Sequence, residues 1–509
     1  MTQIPAAFAA PIAHAAPDVA ADDANPFAGL APAAVWRHFA TLCAVPRASK
    51  AEAPLRELLL RRARERGLEA TVDTAGNLLV RKPASPGRER APGVILQAHL
   101  DMVCQKNAAS AHDFAHHAIR LRRRGDWLVA EDTTLGADNG IGVALILAAL
   151  EAEQLEHGPL EALLTVDEEA GMGGAHGLQP GVLQGSLMLN LDTEAWGEFY
   201  IGCAGGLDVE VGRKGASEAP PAGWVAGRIV VDGLRGGHSG VDIHEERGNA
   251  IKLLVRVLRD LERRFGLRLG ALEGGSARNA LPREAWARVA LAPGQADEAA
   301  AALAAWQVLL RRELQGVDEG VRLRLEPAEP GALLAAAEQT TWLASLHAAP
   351  HGVHRVSLAV PGVVETSNNL GMVAIGPAGG RCCFMVRSLV DSGARALAEE
   401  IASLFSLSGS RVEFAGAYPG WTPDPTSPLL ALCREVHARE FGGESRVQVI
   451  HAGLECGVIA AKYPALDIVS FGPTIRGAHA PGEAVEIASV AHCWRLLKAI
   501  LAAAAREAR

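Results

Sequence analysis

Val94-Ile95-Leu96-Gln97-Ala98-His99-Leu100-Asp101 is an almost unbroken apolar run of strand length that stops on a histidine and an aspartate, and its reading decides the fold. A short apolar run of this kind is expected of a buried strand in a sheet covered on both faces. In open α/β sheets the ligand crevice lies beyond the carboxyl ends of such strands, so residues distant in sequence converge there. The pattern recurs four times. Thr133-Thr134-Leu135-Gly136-Ala137 leads into Asp138, and Leu163-Leu164-Thr165-Val166 leads into Asp167-Glu168-Glu169. Leu187-Met188-Leu189-Asn190-Leu191 leads into Asp192, and Ile468-Val469-Ser470-Phe471-Gly472 reaches His479 through a short loop. Five strand ends supplying two histidines and three carboxylates make the donor set of a two-metal hydrolase.

At 509 residues the chain exceeds the size at which one core keeps growing, so two or more domains are expected. Its 49% hydrophobic and 21% charged content is that of a globular protein with ample core material. A net charge of −9 argues against a nucleic-acid partner, which needs a basic face, and favours a small-molecule or peptide substrate. Eight cysteines lie scattered, without Cys-x-x-Cys spacing, as reduced thiols of a cytoplasmic protein do. The adjacent pair Cys382-Cys383 sits in an apolar strand-like run, where packing explains it more simply than redox chemistry. Residues 1–30 are rich in Ala, Pro and Asp, with neither a basic start nor a long apolar run. They are expected to be a disordered extension and not a signal peptide or membrane span.

From 31 to 205 helix and strand patterns alternate, with a helix near 51–67, a strand near 76–82, the strand into His99 and a helix near 141–153. This is α/β order. From 418 to 509 the style returns, with a helix near 427–441, the strand toward His479 and a helix near 488–506. Since His479 must complete the same site, the catalytic domain is expected to be discontinuous. Between them, 206–417 changes to strand, helix, strand, strand, helix, strand, the split βαβ unit. A second, incomplete copy follows within that segment, with Asn279-Ala280-Leu281 and Asn369-Leu370-Gly371 at matching strand junctions.

His99 and Asp101 stand two apart, so their side chains point the same way, and Asp101 can fix the tautomer of His99. Glu168 and Glu169 are consecutive, which lets one bind metal while the other faces the attacking water. Asp138, before Asn139-Gly140 and an apolar helix, reads by itself as a helix N-cap, but it is also free to bridge two ions. Asp192 by itself reads as a turn residue. Other catalytic signatures fail. Gly237-His238-Ser239-Gly240 lacks the nucleophile-elbow spacing, Gly171-Met172-Gly173-Gly174-Ala175-His176 lacks the last glycine of a dinucleotide loop, and no P-loop occurs.

Taken together, Gln97-Ala98-His99-Leu100-Asp101-Met102-Val103, Thr133 to Gly142, Glu168-Glu169-Ala170-Gly171-Met172 and Cys203-Ala204-Gly205-Gly206 resemble the M20 metallopeptidases, dipeptidases among them. Further matches are Gly236-Gly237-His238-Ser239-Gly240, Arg387-Ser388-Leu389, His451 to Gly457 and Gly472-Pro473-Thr474-Ile475. The resemblance covers nearly everything after residue 30. It implies a discontinuous zinc-peptidase domain, a mostly parallel sheet flanked by helices, with an inserted α+β lid of split βαβ units. It further implies two Zn2+ per subunit, replaceable by Co2+ or Mn2+, one held by His99, Asp138 and Asp192 and the other by Asp138, Glu169 and His479. Glu168 would be the general base and Asp101 the partner of His99. His238 would donate from the lid to the oxyanion, Arg387 would take the substrate carboxylate, and Asn279 would orient the substrate amide. A cis Asp138–Asn139 bond, a homodimer joined through the lid, and hydrolysis of dipeptides, β-alanyl-histidine and other Xaa-His pairs included, belong to the same expectation. The chain departs from the pattern at Cys104, Asp132, Asn368 and Ala480, none of which removes a ligand or the base. A deacetylase or amidohydrolase of the same fold, acting on N-acyl amino acids, would use nearly the same ligands. A metal-holding scaffold without turnover would have no need of Glu168.

Overall fold

The computed structural model describes residues 25–506. The expected N-terminal extension lies outside the described residues up to position 24. Its last residues are packed: the Phe27 ring stands 6.2 Å from that of Trp36 and 6.4 Å from that of Phe39, and Leu30 is buried. The folded body thus begins several residues before position 31, because these apolar side chains have a core to enter.

An eight-stranded sheet runs in the order Glu69–Val72, Leu78–Lys82, Leu160–Thr165, Val94–His99, Leu187–Asn190, Asp467–Ser470, Glu198–Cys203 and Arg446–Ile450. The four strands from Leu160–Thr165 to Asp467–Ser470 are mutually parallel. The last of them comes from the C-terminal part of the chain, so the sheet is assembled from two separate stretches. Val94–His99 is buried at all six positions. Val94, Leu96 and Ala98 enter one core with the helix Ala137–Glu151, while Ile95 enters another with Cys456, Val458 and Ile459 of the helix Glu455–Lys462. A strand with a core on each face has no reason to alternate polar and apolar residues. The apolar C-terminal helix Ile487–Ala504 buries Val490, Cys493, Leu496, Leu497, Ile500 and Leu501 in the larger core.

The segment Thr133–Ala137, expected as a strand end, is a loop. Gly136 takes a left-handed turn at φ 69°, and the N–H groups of Leu135, Gly136 and Ala137 go to the Glu483 carboxylate and not to a neighbouring strand. Asp138 therefore enters the site from the first turn of the helix Ala137–Glu151.

A second sheet, entirely antiparallel, carries two split βαβ units. The first consists of Val225–Asp232, Ala250–Phe265, Arg268–Gly274, Ala285–Leu291, Ala296–Glu313 and Arg322–Pro327. Its first helix starts where the Asn249 side chain accepts the N–H groups of Ile251 and Lys252 (3.0 and 3.2 Å) and stops at Gly266, φ 63°. The unit that is incomplete as a continuous stretch of sequence is complete in space. Its first strand, Gly205–Lys214, precedes the other unit in the chain and pairs with Gly379–Ser388 and Arg411–Tyr418. The second strands of the two units pair antiparallel, Leu272–Gly274 against Val373–Ile375, so both units share one sheet and one core. Asn369 lies inside the strand Val364–Gly376 and not at a strand junction like Asn279, since a bulge between Leu370 and Met372 lets that strand continue. Cys382 is buried in this core, and all eight cysteines are free thiols.

Candidate metal centre

The parallel strand ends bring the ligand candidates together. His99 closes the strand Val94–His99, and Asp192 stands two residues beyond Leu187–Asn190. Glu168 and Glu169 follow Leu160–Thr165 through Asp167, held at φ 57°. His479, φ 63°, sits in the loop beyond the short strand Ile475–Arg476. Asp138 is non-helical within its helix and is joined to Asn139 by a cis peptide bond.

Its carboxylate does not cap the helix; it faces two histidines at once. Asp138 Oδ1 is 3.1 Å from His99 Nε2, and Oδ2 is 3.2 Å from His479 Nε2. His99 Nε2 is also 3.2 Å from Asp192 Oδ1, and His479 Nε2 is 3.2 Å from Glu169 Oε2. Two donor groups result, His99–Asp138–Asp192 and Asp138–Glu169–His479, sharing Asp138. Donors on a tetrahedral zinc with bonds of ~2.0–2.1 Å stand ~3.3 Å apart, close to the spacings here. Glu169 Oε1 is in addition buried without a hydrogen-bond partner. Imidazole and carboxylate donors at this spacing fit a pair of divalent ions.

Glu168 lies beside this set, within ligand range of His99 and Glu169 but outside both groups that share Asp138. Burial drives its carboxyl well above the usual range, helped by the charges of Asp192, Glu169 and Glu455 and opposed by His99. Asp101 does more than face His99. His99 Nδ1 is 3.2 Å from the Asp101 main-chain carbonyl and 3.4 Å from Asp101 Oδ1, while the two carboxylate oxygens accept the N–H groups of Glu168 (3.0 Å) and Glu169 (3.1 Å) and the Ser49 hydroxyl (2.7 Å). Burial alone would raise it, but His99 and these donors hold it down to about 2. One carboxylate thus ties the histidine end to the paired glutamates.

In the second sheet's units, His238 comes from the first and Arg387 from the second. His238 Nδ1 accepts the N–H groups of Gly240 (3.2 Å) and Val241 (3.0 Å), and burial together with Arg387 and His479 lowers its pKa to about 4. The neutral ring then carries its proton on Nε2. Nε2 stands 3.3 Å from Arg387 Nη2, so the two groups lie side by side. Arg387 is buried, and its other contacts are the hydroxyls of Tyr418 (2.8 Å) and Ser239 (3.3 Å), not a carboxylate. Asn279 is exposed beside them; its carbonyl accepts the N–H of Ser239 (2.8 Å), next to the bridge that pairs His238 with Ala280.

Several groups around the centre were given no role in reading the sequence, although His451 and Glu455 lie in the stretch His451 to Gly457 that carries the resemblance. Arg47 and Glu483 are buried beneath the loops of the site. Glu455, fully buried, accepts the Gln97 amide (2.7 Å) and the Thr165 hydroxyl (2.5 Å) below the strand ends, and burial pushes it up to about 8. His451 Nε2, just past the strand Arg446–Ile450 of the first sheet, meets Ser367 Oγ of the second sheet at 2.7 Å. Only the folded chain shows what these residues contact.

Residues 95–503 match the model of peptidase family M20/M25/M40. The chain is 45% identical over 473 residues to the cytosol non-specific dipeptidase of Escherichia coli (strain K12), covering 93% of this chain and 98% of that protein. The crystal structure of aminoacylhistidine dipeptidase from Vibrio alginolyticus aligns with a TM-score of 0.85 at 43% identity, over 94% of this chain and 98% of that one. Aminopeptidase PepT from Bacillus cereus shares the fold with a TM-score of 0.55 at 16% identity, over 93% and 98% of the two chains. The protein belongs to peptidase family M20/M25/M40, and the resemblance seen in its motifs holds over nearly its full length.

Proposed function

We propose that the protein is a cytoplasmic dipeptidase working with two zinc ions, one between His99, Asp138 and Asp192 and one between Asp138, Glu169 and His479. The observation that carries this reading is Asp138, whose two carboxylate oxygens each face a different histidine. The similarity to two proteins named as dipeptidases supports the substrate class. A zinc pair supplies Lewis acidity, lowering the pKa of water toward ~7 and polarising the scissile carbonyl. Glu168 takes the proton of the attacking water and returns it to the leaving amine. Asp101 holds both the ring of His99 and the backbone that presents Glu168. The His238 Nε2–H donates to the developing oxyanion, the Arg387 fork binds the substrate carboxylate, and exposed Asn279 is free to bond the substrate amide.

Zinc-loaded protein is expected to release histidine from β-alanyl-histidine and no acetate from N-acetyl amino acids. Acetate release alone would make it a deacetylase, and neither product a metal-holding scaffold. Arg387→Met should lower kcat/KM for dipeptides by roughly 10–100-fold, the value of a hydrogen bond to a charged group. It should also cease to distinguish a dipeptide from its C-terminal amide in a peptide-release assay. Asp101→Ala is expected to be milder than loss of a ligand, weakening zinc affinity or turnover by roughly 10–100-fold in metal titration and steady-state kinetics.

The second domain also serves as the joint of a homodimer in this reading, with His238 acting on the metals of its own chain. The meeting of His238 and Arg387 from two units of one chain supports that assignment. Mixing inactive His238→Ala and Glu168→Ala chains under subunit exchange should then leave activity near zero. Recovery toward a quarter of wild-type activity would place His238 across the interface.

A further inference from the structure

The backbone from Leu135 to Asp138 is gripped on both sides by buried ionic side chains that belong to neither donor group. The Glu483 carboxylate, 2% exposed, accepts the N–H groups of Leu135 (2.8 Å), Gly136 (3.0 Å), Ala137 (2.8 Å) and, more distantly, Asp138 (3.4 Å). From the other side the Arg47 guanidinium, equally buried, donates to the carbonyls of Gly136 (2.5 Å), Leu100 (2.9 Å) and Asp101 (2.9 Å). Glycine is required at 136 twice over: its φ is positive, and a Cβ would strike the Arg47 guanidinium and the Met102 sulfur. An ionised carboxylate is costly to bury unless donors surround it. Glu483 draws those donors from successive residues of one loop, which fixes the shape of the loop as firmly as it satisfies the carboxylate.

On the reading of Asp138 as the bridging ligand, we infer that Glu483 is a positioning residue that sets where the bridging carboxylate stands, with Arg47 locking that loop to the strand end carrying His99. Glu483 follows His479 by four residues. The C-terminal part of the chain therefore delivers one ligand and also the clamp on the loop of another, while Arg47 reaches the same loop from the N-terminal side. Because Asp138 serves both ions, a displaced loop weakens both binding steps together. Removal of Asp192 or Glu169, each serving one ion, weakens one step.

Glu483→Gln preserves size but turns an N–H2 toward the loop's N–H donors, and Arg47→Lys keeps the charge but loses the three-carbonyl span. Metal-stripped proteins are titrated with zinc against a chromophoric chelator, and Co2+-substituted proteins are compared by visible absorption. Wild type is expected to take two equivalents. Both variants should weaken both steps by roughly 10–100-fold, as loss of a ligand-supporting group does, and change the Co2+ band intensity. Their metal-free near-UV circular dichroism should stay that of wild type. If wild type does not take two equivalents, the ligand reading itself falls. If wild type does and the variants bind alike, or lose one step only, the positioning role is overturned. It is equally overturned if the metal-free variants lose their near-UV signal, which would make the pair part of the folding core.

Discussion

Glu168→Ala is expected to bind two zinc equivalents per chain, measured by elemental analysis, and to lose turnover by roughly 10²–10⁴-fold, the contribution of a positioned general base. The structure separates it from its neighbour. Glu169 stands 3.2 Å from His479 in a group that includes Asp138, whereas Glu168 groups with His99 and Glu169 without Asp138. Its buried carboxyl is driven up in pKa, which suits a group that must both accept and return a proton near neutral pH. Loss of one metal equivalent in Glu168→Ala, with turnover falling in proportion, would exchange the roles of the two glutamates.

Asp138→Ala should strip or scramble both metals, because one carboxylate then fails two ions at once. The substitution leaves His99 with Asp192 and Asp101, and His479 with Glu169, as carboxylate partners. Activity should fall below that of the single-ion ligand variants Asp192→Ala and Glu169→Ala, and the zinc content of dialysed protein should fall below one equivalent. Full zinc content in Asp138→Ala would remove the bridge, and with it the inference drawn for Glu483.

The two outcomes depend on the same local architecture and are separable. Asp101 couples His99 to the backbone of Glu168 and Glu169, so it transmits a disturbance of one loop to the next. Asp138 is held instead through Glu483 and Arg47. A change at Asp101 is therefore expected in the pairing of base and histidine, and a change at Glu483 in the pairing of the two metal steps.

Sequence by itself determined the class of fold and the grouping of the site. Strands buried on both faces are apolar almost throughout, so the runs 94–98 and 163–166 stand out without a structure, and a parallel sheet has to gather their carboxyl ends on one side. That is why His99, Glu169, Asp192 and His479, up to 380 residues apart in the chain, could be grouped from their positions at strand ends. Asp138 was grouped with them for a reason the structure does not share, since Thr133–Ala137 is a glycine-turned loop and not a strand. What only the tertiary structure decided lies in contacts that have no periodicity. The second split βαβ unit lacked its first strand in sequence because Gly205–Lys214 is separated from the rest of its unit by the whole of the other one. Nothing local marks Glu483 or Arg47, whose charges are satisfied by backbone groups of distant loops, nor the meeting of His238 with Arg387 across two units. Hydrophobic pattern records which face of an element is buried, whereas a hydrogen bond from a side chain to another segment's backbone leaves no trace in the composition of either, and only the folded chain shows it.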